Sequence, residues 1–412
     1  MIYDAVIIGG GPTGLMAAGQ ASKREARVLL LEKNDSLGRK LLMTGGARCN
    51  ITNQFADDKS MISVYSPNAK FLLSVFHKYS VKDTLNFFAS LGVDVKTEGN
   101  GRIFPSSNKA NNVRIALERY LEKNKVEIRT NAAVKKIVAK NNRVEKIVLN
   151  NNDEVIGKNF IICTGGRSYP ETGSTGEGYK WLADIGHTIN KTRPALTPVV
   201  VKEKIVKKLE GLSLSNVKIS IWQNKKNIIS RMGEIIFTSD GISGPAIIDL
   251  SSKIGLLLPD TVSLKIGLQP DTETSELENK IQNDFHHSRN KQFKNYLASL
   301  VQPKLILPII EMAGIDGTKQ VSTINKSQRI SLVKLLKEFT LNVKELKGFN
   351  KAMITAGGVD VKEIDPKTMR SRLYQNLFLA GEILDIDGPT GGYNLQICWS
   401  TGYVAGESVN FN

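Results

Sequence analysis

An α/β fold is predicted, with a Rossmann-like domain split into two segments by a β-rich and helical insert, and three features predict it. Val6 to Gly14 reads VIIGGGPTG, an apolar strand closed by Gly9, Gly11 and Gly14 in G-x-G-x-x-G register. The next apolar run, VLLLE, ends on Glu32, at about the 20-residue distance where a dinucleotide ribose needs a hydroxyl acceptor. Strand-like segments that break on glycine return at Asn159 to Gly166 (NFIICTGG) and Leu377 to Glu382 (LFLAGE). The nucleotide-binding elements therefore stand at both ends of the chain, and the middle is inserted.

Each element has its own signal. Gly9 allows a tight turn off the first strand, Gly11 leaves room for a pyrophosphate, and Gly14 lets the helix pack closely on the strand. The helix starting near Pro12 aims its unpaired N–H groups at the phosphates. Ser66-Pro67 and the capping box Ser80 to Asp83 mark helix starts, and Val113 to Leu121 has helical periodicity. Val134 to Ile156 alternates through Asn-rich turns, as a small antiparallel meander does. The division predicted is 1–190 with 350–412 for the nucleotide domain, 191–270 for a β-rich insert that includes a buried strand at Ile254 to Leu258, and 271–349 for a helical subdomain. A final helix starts near Asn394, after Gly391-Gly392.

The order of these glycine turns resembles two-domain flavoproteins similar to glutathione reductase and the hydroxylases. In those proteins a C-terminal Gly-acid pair holds the ribityl chain of FAD, so the resemblance implies FAD, with Gly381-Glu382 as that pair. Longer stretches narrow the resemblance. GRKLLMTGGARCNITN (Gly38 to Asn53), GRIFPSS (Gly101 to Ser107), TGGRSYPETGSTGEGY (Thr164 to Tyr179), FTSDGISGPAI (Phe237 to Ile247) and GEILDIDGPTGGYNLQICWSTGYVAG (Gly381 to Gly406) together resemble the BaiN/RdsA family of bacterial NAD(P)/FAD-dependent oxidoreductases. The match covers nearly the whole chain. It departs at Ala47, where the family usually has a third glycine, and an alanine resists left-handed backbone.

The resemblance implies a cofactor set: Gly9, Gly11, Pro12, Thr13, Gly14, Glu32, Lys33, Arg39, Lys40, Gly45, Gly46, Arg48, Asn50, Val134, Thr164, Gly165, Gly166, Gly381, Glu382, Gly392, Asn394 and Leu395. Asn394 and Leu395 would offer helix N-terminal N–H groups to the flavin's pyrimidine edge, where the dipole favours negative charge. The resemblance also places Arg48, Cys49 and Asn50 close to the flavin. Arg48 would bring positive charge to flavin or substrate, and Cys49 is a candidate proton donor; the alternatives are an ion pair and simple packing. Arg102 and Tyr393 are candidate substrate anchors. The insert has no second G-x-G-x-x-G, so NAD(P)H is expected only as a transient electron donor.

Composition bounds the rest. No apolar run approaches 18 residues, and the N-terminus enters a strand without a leader, so a protein neither secreted nor membrane-spanning is expected. Cys49, Cys163 and Cys398 make no C-x-x-C pair, which points to a reducing cytoplasm. The four histidines suggest no metal site, and the adjacent His286 and His287 read as surface residues. Net charge is +16, and residues 190–350 hold 24 Lys and Arg against 15 Asp and Glu. The excess gathers at Lys202, Lys204, Lys207 and Lys208, at Lys218, Lys225, Lys226 and Arg231, and in HHSRNKQFKNY, where Arg289, Lys291 and Lys294 interleave with Phe285, Phe293 and Tyr296. Basic residues mixed with aromatics suit RNA whose unpaired bases can stack; the alternative is ordinary solvated surface. Among activities that the family resemblance implies, this charge favours reduction of a uridine C5=C6 bond in 23S ribosomal RNA to dihydrouridine. A small-molecule reductase or oxidase acting on an enone, a bile acid or an aminoacetone-type amine is the second reading. A non-catalytic flavin-containing RNA-binding factor is the third. Oligomeric state is not encoded in any of these motifs.

Overall fold

The strand Ile2–Ile8 is the hub of the larger sheet because its apolar side chains from Tyr3 onward are covered on both faces, as a parallel strand requires. It pairs in parallel with Val28–Leu31 on one side and Glu154–Ile162 on the other. Val28–Leu31 continues in parallel to Glu127–Arg129. Glu154–Ile162 is long enough to serve two partners on its far edge: its first half pairs antiparallel with Arg143–Leu149, and its second half pairs in parallel with Leu377–Leu379. Val134–Lys140 completes the antiparallel meander. The chain is thus α/β and Rossmann-like, as the sequence predicts.

The computed structural model describes residues 1–23, 26–54, 58–65 and 67–409. It forms two compact units, Met1–Pro194 with Phe349–Asn412, and Ala195–Gly348. In the first unit, helix Pro12–Ser22 packs against helix Tyr393–Ser408 across small residues. A Cβ on Gly402 or Gly406 would come within 2.6 or 2.4 Å of a carbonyl oxygen of the first helix. The capping box at Ser80 forms, with its Oγ accepting from the Asp83 N–H at 3.3 Å and the Asp83 carboxylate accepting from the Ser80 N–H at 2.8 Å. Ser66 lies outside the described residues; Pro67–Phe71 is a short 3-10 turn. The predicted helix around Val113 is Ala110–Lys123.

The second unit is built on a closed six-stranded barrel, in the order Val199–Val201, Gly241–Ser243, Lys226–Thr238, Ser213–Gln223, Val262–Gly267 and Phe339–Leu346, the last returning to the first. Two expectations are corrected here. Ile254 to Leu258 is not a buried strand: Ile254 to Leu257 close the helix Pro245–Leu257. Pro245 pre-sets the first helical turn after Gly244, and an apolar run of that length fits either element. The segment read as helical does hold Thr274–His287, Phe293–Leu297, Pro303–Ala313 and Lys326–Lys337, but Phe339–Leu346 is the strand that closes the barrel. Its buried residues Phe339, Leu341 and Val343 alternate, a period of two.

Asn376 joins the meander to the strand that follows it in space. Its Nδ2 donates to Val144 O (2.9 Å) and Lys158 O (3.0 Å), and its Oδ1 accepts from Val144 N–H (2.8 Å), all with the side chain buried. Asn376→Ala strands these backbone groups without partners. We expect a loss of about 1–3 kcal/mol, read as a fall in the urea midpoint of the first unit; an unchanged midpoint would mean that water replaces the amide at no cost.

Candidate cofactor site

The C-terminal ends of the parallel strands open into a groove with about 1010 Å³ of atom-free space. Its wall collects Gly9, Gly11, Pro12, Thr13, Glu32, Arg39, Lys40, Thr164, Gly165, Glu382, Asn394 and Leu395, twelve of the residues predicted from sequence. An adjoining recess of about 400 Å³ is lined by Lys33, Val134, Glu177 and Trp181, together with Glu32 and Thr164. Residues from both ends of the chain therefore meet in one place.

The glycine turn has the geometry its spacing implies. A Cβ on Gly14 would sit 1.8 Å from the Gly9 carbonyl oxygen, so helix and strand touch backbone to backbone. Gly11 differs, because nothing lies within 4 Å of its Cβ position. It is the N-cap of Pro12–Ser22, with no side chain capping it and no acid in the first turn. The helix's first N–H groups are left for an anion. Glu32 is buried, with Oε2 accepting from Gly10 N–H (2.7 Å) and Oε1 from the Asn34 backbone N–H and Nδ2 (2.8 and 2.7 Å). Thr164 Oγ1 is buried without a hydrogen-bond partner among the described residues.

Glu382 is held more firmly than its sequence context suggests. Its Oε2 accepts from Lys40 Nζ at 2.7 Å, and its Oε1 from Ser168 Oγ (3.0 Å) and Thr355 N–H (2.8 Å). Lys40 also donates to Ser168 Oγ at 2.6 Å. Lys33 is engaged at the recess by Thr175 (2.8 Å) and Glu177 (2.9 Å), and Arg39 by Asp35 (2.6 Å). Ser168, Thr355, Asn34 and Gln396 were not singled out from sequence. Ser168, Thr355 and Gln396 act through partners far along the chain, which leaves no local signal, whereas Asn34 bonds Glu32 only two positions away.

The helix Tyr393–Ser408 brings its first turn to the groove. Gly392 caps it at φ +100, and a Cβ there would lie 2.4 Å from Thr52 O. The Asn394 side chain folds back onto the preceding loop, its Oδ1 accepting from Gly388 N–H and its Nδ2 donating to Gly388 O, both at 2.9 Å. Deeper in the helix, Gln396 Oε1 accepts from Thr52 Oγ1 (2.7 Å) and Trp399 Nε1 donates to Ile51 O (2.9 Å), which pins the helix to the motif loop.

Beyond Thr44 that motif loop leaves the groove wall. Helix Arg39–Ala47 breaks at Thr44, and Gly45, Gly46, Ala47 and Cys49 all take positive φ, between +58 and +67. Ala47 thus occupies a left-handed position, at a cost of roughly 1–2 kcal/mol. Arg48 makes an ion pair with Glu98 (3.0 and 3.1 Å to its two oxygens) and stacks on Phe104, its guanidinium 4.0 Å from the ring centre. Cys49 is fully buried, and burial pushes its thiol up to about 12, so it stays neutral. Arg102 donates to Gly99 O (3.0 Å), and Tyr393 stands edge-on to Tyr65. Gly14, Gly45, Gly46, Arg48, Cys49, Asn50, Arg102, Gly166, Gly381, Gly392 and Tyr393 are absent from the groove wall. Cys163 and Cys398, distant in sequence, both line it.

In the second unit Arg289, Lys291 and Lys294 are exposed. The aromatic half of the RNA argument fails, however. Phe285, Phe293 and Tyr296 are buried in the unit's core, and Tyr296 Oη donates to Asp284 at 2.9 Å, so none can stack on a base. His286 and His287 are exposed, and among the described residues no His, Cys, Asp and Glu side chains converge as metal ligands. Among the described residues, no helix is long and apolar enough to cross a membrane.

Residues 3–408 match the family model described as HI0933-like protein Rossmann domain. A relative named 3-dehydro-bile acid delta(4,6)-reductase, from Clostridium scindens, is 32% identical over 98% of each chain. A relative named ribosomal RNA dihydrouridine synthase, from Haemophilus influenzae, is 30% identical over 99% of this chain and 98% of its own. Among solved structures, 3-ketosteroid-delta4-(5alpha)-dehydrogenase from Rhodococcus jostii, in complex with 4-androstene-3,17-dione, superposes with a TM-score of 0.52 at 14% identity, covering 99% and 96% of the two chains. That likeness is one of fold.

Gly11 and Gly14 separate binding from folding. Gly14→Ala should fail to fold or be strongly destabilised, because its methyl meets backbone. Gly11→Val should fold with the wild-type circular dichroism spectrum yet be purified without dinucleotide. Full FAD occupancy of Gly11→Val would remove the phosphates from this turn.

Proposed function

The chain belongs to the HI0933-like family of Rossmann-domain proteins, and from that premise we propose that it is an FAD-dependent oxidoreductase that reduces a carbon–carbon double bond conjugated to a carbonyl. The observation that carries this reading is the groove itself, where an uncapped helix N-terminus, a buried carboxylate and a second helix N-terminus line one continuous space. These residues fit FAD. Gly11 leaves the phosphates room, the Pro12–Ser22 N-terminus offers N–H groups to them, and Glu32 keeps one acceptor site on Oε2 for a ribose. Glu382 would hold the ribityl chain, with Lys40 fixing the carboxylate's position. Asn394 and Leu395 would present N–H groups to the ring. When bound, FAD supplies hydride transfer, while the protein orients the partners and excludes side reactions.

For the substrate we propose a uridine of 23S ribosomal RNA, reduced at C5=C6, with NAD(P)H as a transient electron donor in the cytoplasm. The net charge of +16 and the exposed Lys and Arg of the second unit support it. Arg289, Lys291 and Lys294 would contact phosphates rather than bases, now that their aromatic neighbours belong to the core. A bile-acid or related enone is the second reading, favoured by the 32% identity to a reductase of that name.

Three experiments test these assignments. Removing the charge of Glu382 deletes a charge-assisted acceptor worth about 1.5–3 kcal/mol, so Glu382→Gln should raise the FAD dissociation constant about 10- to 100-fold. An unchanged constant would make Glu382 purely structural. Nucleoside mass spectrometry of ribosomal RNA should show one dihydrouridine missing from cells that lack the gene. Arg289, Lys291 and Lys294 replaced together by Gln should weaken RNA binding and flatten its salt dependence, since each lost phosphate contact releases fewer counterions, while the flavin spectrum stays intact. No dihydrouridine difference would shift the substrate to the small-molecule enone.

A further inference from the structure

Gln396 closes the first turn of helix Tyr393–Ser408, and its amide is fully buried yet bonded at both ends. Its Oε1 accepts from Thr52 Oγ1 at 2.7 Å, and its Nε2 donates to Thr84 Oγ1 and to Ser400 Oγ, both at 2.8 Å. The hydroxyl protons set the direction of each bond. Thr84 Oγ1 donates to Ser80 O (3.2 Å) and Ser400 Oγ to Tyr79 O (2.8 Å), so both oxygens can only accept from Gln396, and the amide oxygen is left to face Thr52. Turning the amide over would oppose its oxygen to two oxygens with no proton to give. Thr52, Thr84 and Ser400 are themselves fully buried. A buried network satisfied in this way specifies one arrangement, where an apolar side chain would allow several.

The arrangement fixes a helix end. Thr52 belongs to the strand Thr52–Asn53, which pairs antiparallel with Arg102–Pro105. Its carbonyl oxygen lies 2.4 Å from where a Cβ on Gly392, the helix cap, would stand, and Asn53 Nδ2 donates to Gly391 O at 2.9 Å. The strand thus grips the helix twice, at its cap and one turn further in through Gln396.

What is held there is a pair of free donors. The Gln396 N–H bonds Gly392 O at 3.0 Å, and no side chain caps the helix, so the backbone N–H groups of Asn394 and Leu395 meet no acceptor among the described residues. Both residues line the groove, and Gln396 is absent from its wall. Any effect of Gln396 on a molecule in the groove must therefore pass through its neighbours.

We propose that Gln396 is a positioning residue for the flavin: through Thr52 it sets the depth and rotation of the helix end, and with them how closely the N–H groups of Asn394 and Leu395 approach the ring. The inference rests on the cofactor reading above, in which those two residues face the ring. Reduced flavin carries negative charge at its pyrimidine edge, and the positive end of a helix stabilises such charge only near its first turn. Gln396 therefore keeps the reduction potential of the bound flavin high.

Two variants break the contact from either side without adding charge. Gln396→Met keeps the length of the side chain and loses its hydrogen bonds; Thr52→Val keeps the shape and loses the donor, while Thr52→Ser keeps the donor. Each protein is loaded with FAD, and its midpoint potential is measured by reductive titration against a reference dye. Gln396→Met and Thr52→Val should each shift the balance about tenfold toward oxidised flavin, about 30 mV for a two-electron couple. The double variant should fall little further, since the two residues share one bond, and Thr52→Ser should match wild type. Asn376→Ala, whose buried amide lies outside the groove wall, should leave the potential unchanged. An equal fall in Asn376→Ala would make the effect one of stability and overturn the positioning role. Wild type that holds no FAD overturns the cofactor reading, and the inference with it. Wild type that holds FAD, with Gln396→Met and Thr52→Val at the same potential, overturns Gln396 alone; should Gln396→Met fail to fold, the comparison of Thr52→Val with Thr52→Ser decides in the same way.

Discussion

The Glu382 carboxylate is the interaction on which the first unit's groove depends. It gathers three segments that the chain keeps far apart: Lys40 after the second strand, Ser168 beyond the mid-chain glycine turn, and Thr355 on the strand that follows the second unit in sequence. An ion pair this little exposed, with side chains 20% and 17% accessible, is stable only when its remaining lone pairs and protons are also satisfied. Here Ser168 closes a triangle between the two charges. The close approach also explains a glycine. A Cβ on Gly166 would fall 2.4 Å from Thr355 Oγ1 and 2.9 Å from Glu382 Oε1, so the second glycine turn is bare because the carboxylate and threonine fill its space.

Some of this was legible in the sequence, for reasons that can be named. The fingerprint, the capping box and the meander are local: the residues that make each contact lie within a few positions, and their spacing is the geometry. Gly9 and Gly14 show it, five residues apart and in backbone contact. Ser168 and Thr355 have no comparable signal, because 187 positions separate a hydroxyl from the N–H group that it accepts from. Ile254 to Leu258 failed for another reason. A short apolar run satisfies a buried strand and a buried helix face equally, and only Pro245 upstream distinguishes them.

The basic-aromatic segment shows where adjacency misleads. Phe293 and Tyr296 are three apart on one helix, which puts them on a common face, and Phe285 joins them at the close of the preceding helix. That face is the core. Arg289, Lys291 and Lys294 point outward because charged stems find water there, so residues interleaved in sequence are segregated in space. Phosphate contact survives this segregation and base stacking does not. The same mapping brings Cys163 and Cys398 into one wall although 235 positions separate them.

The groove and the chemistry expected in it follow different rules of inheritance. Cofactor contacts of the kind assigned here use backbone N–H groups and glycine clearances, which tolerate change in almost every other side chain. Relatives with different names, one for a bile acid and one for ribosomal RNA, can therefore share 32% and 30% identity with this chain over nearly its whole length. Whole-chain similarity measures that common frame. The choice of substrate must then rest on few side chains, those able to bind or protonate without disturbing the frame. The exposed charges of the second unit are of this kind, since they can vary without touching a single glycine of the groove.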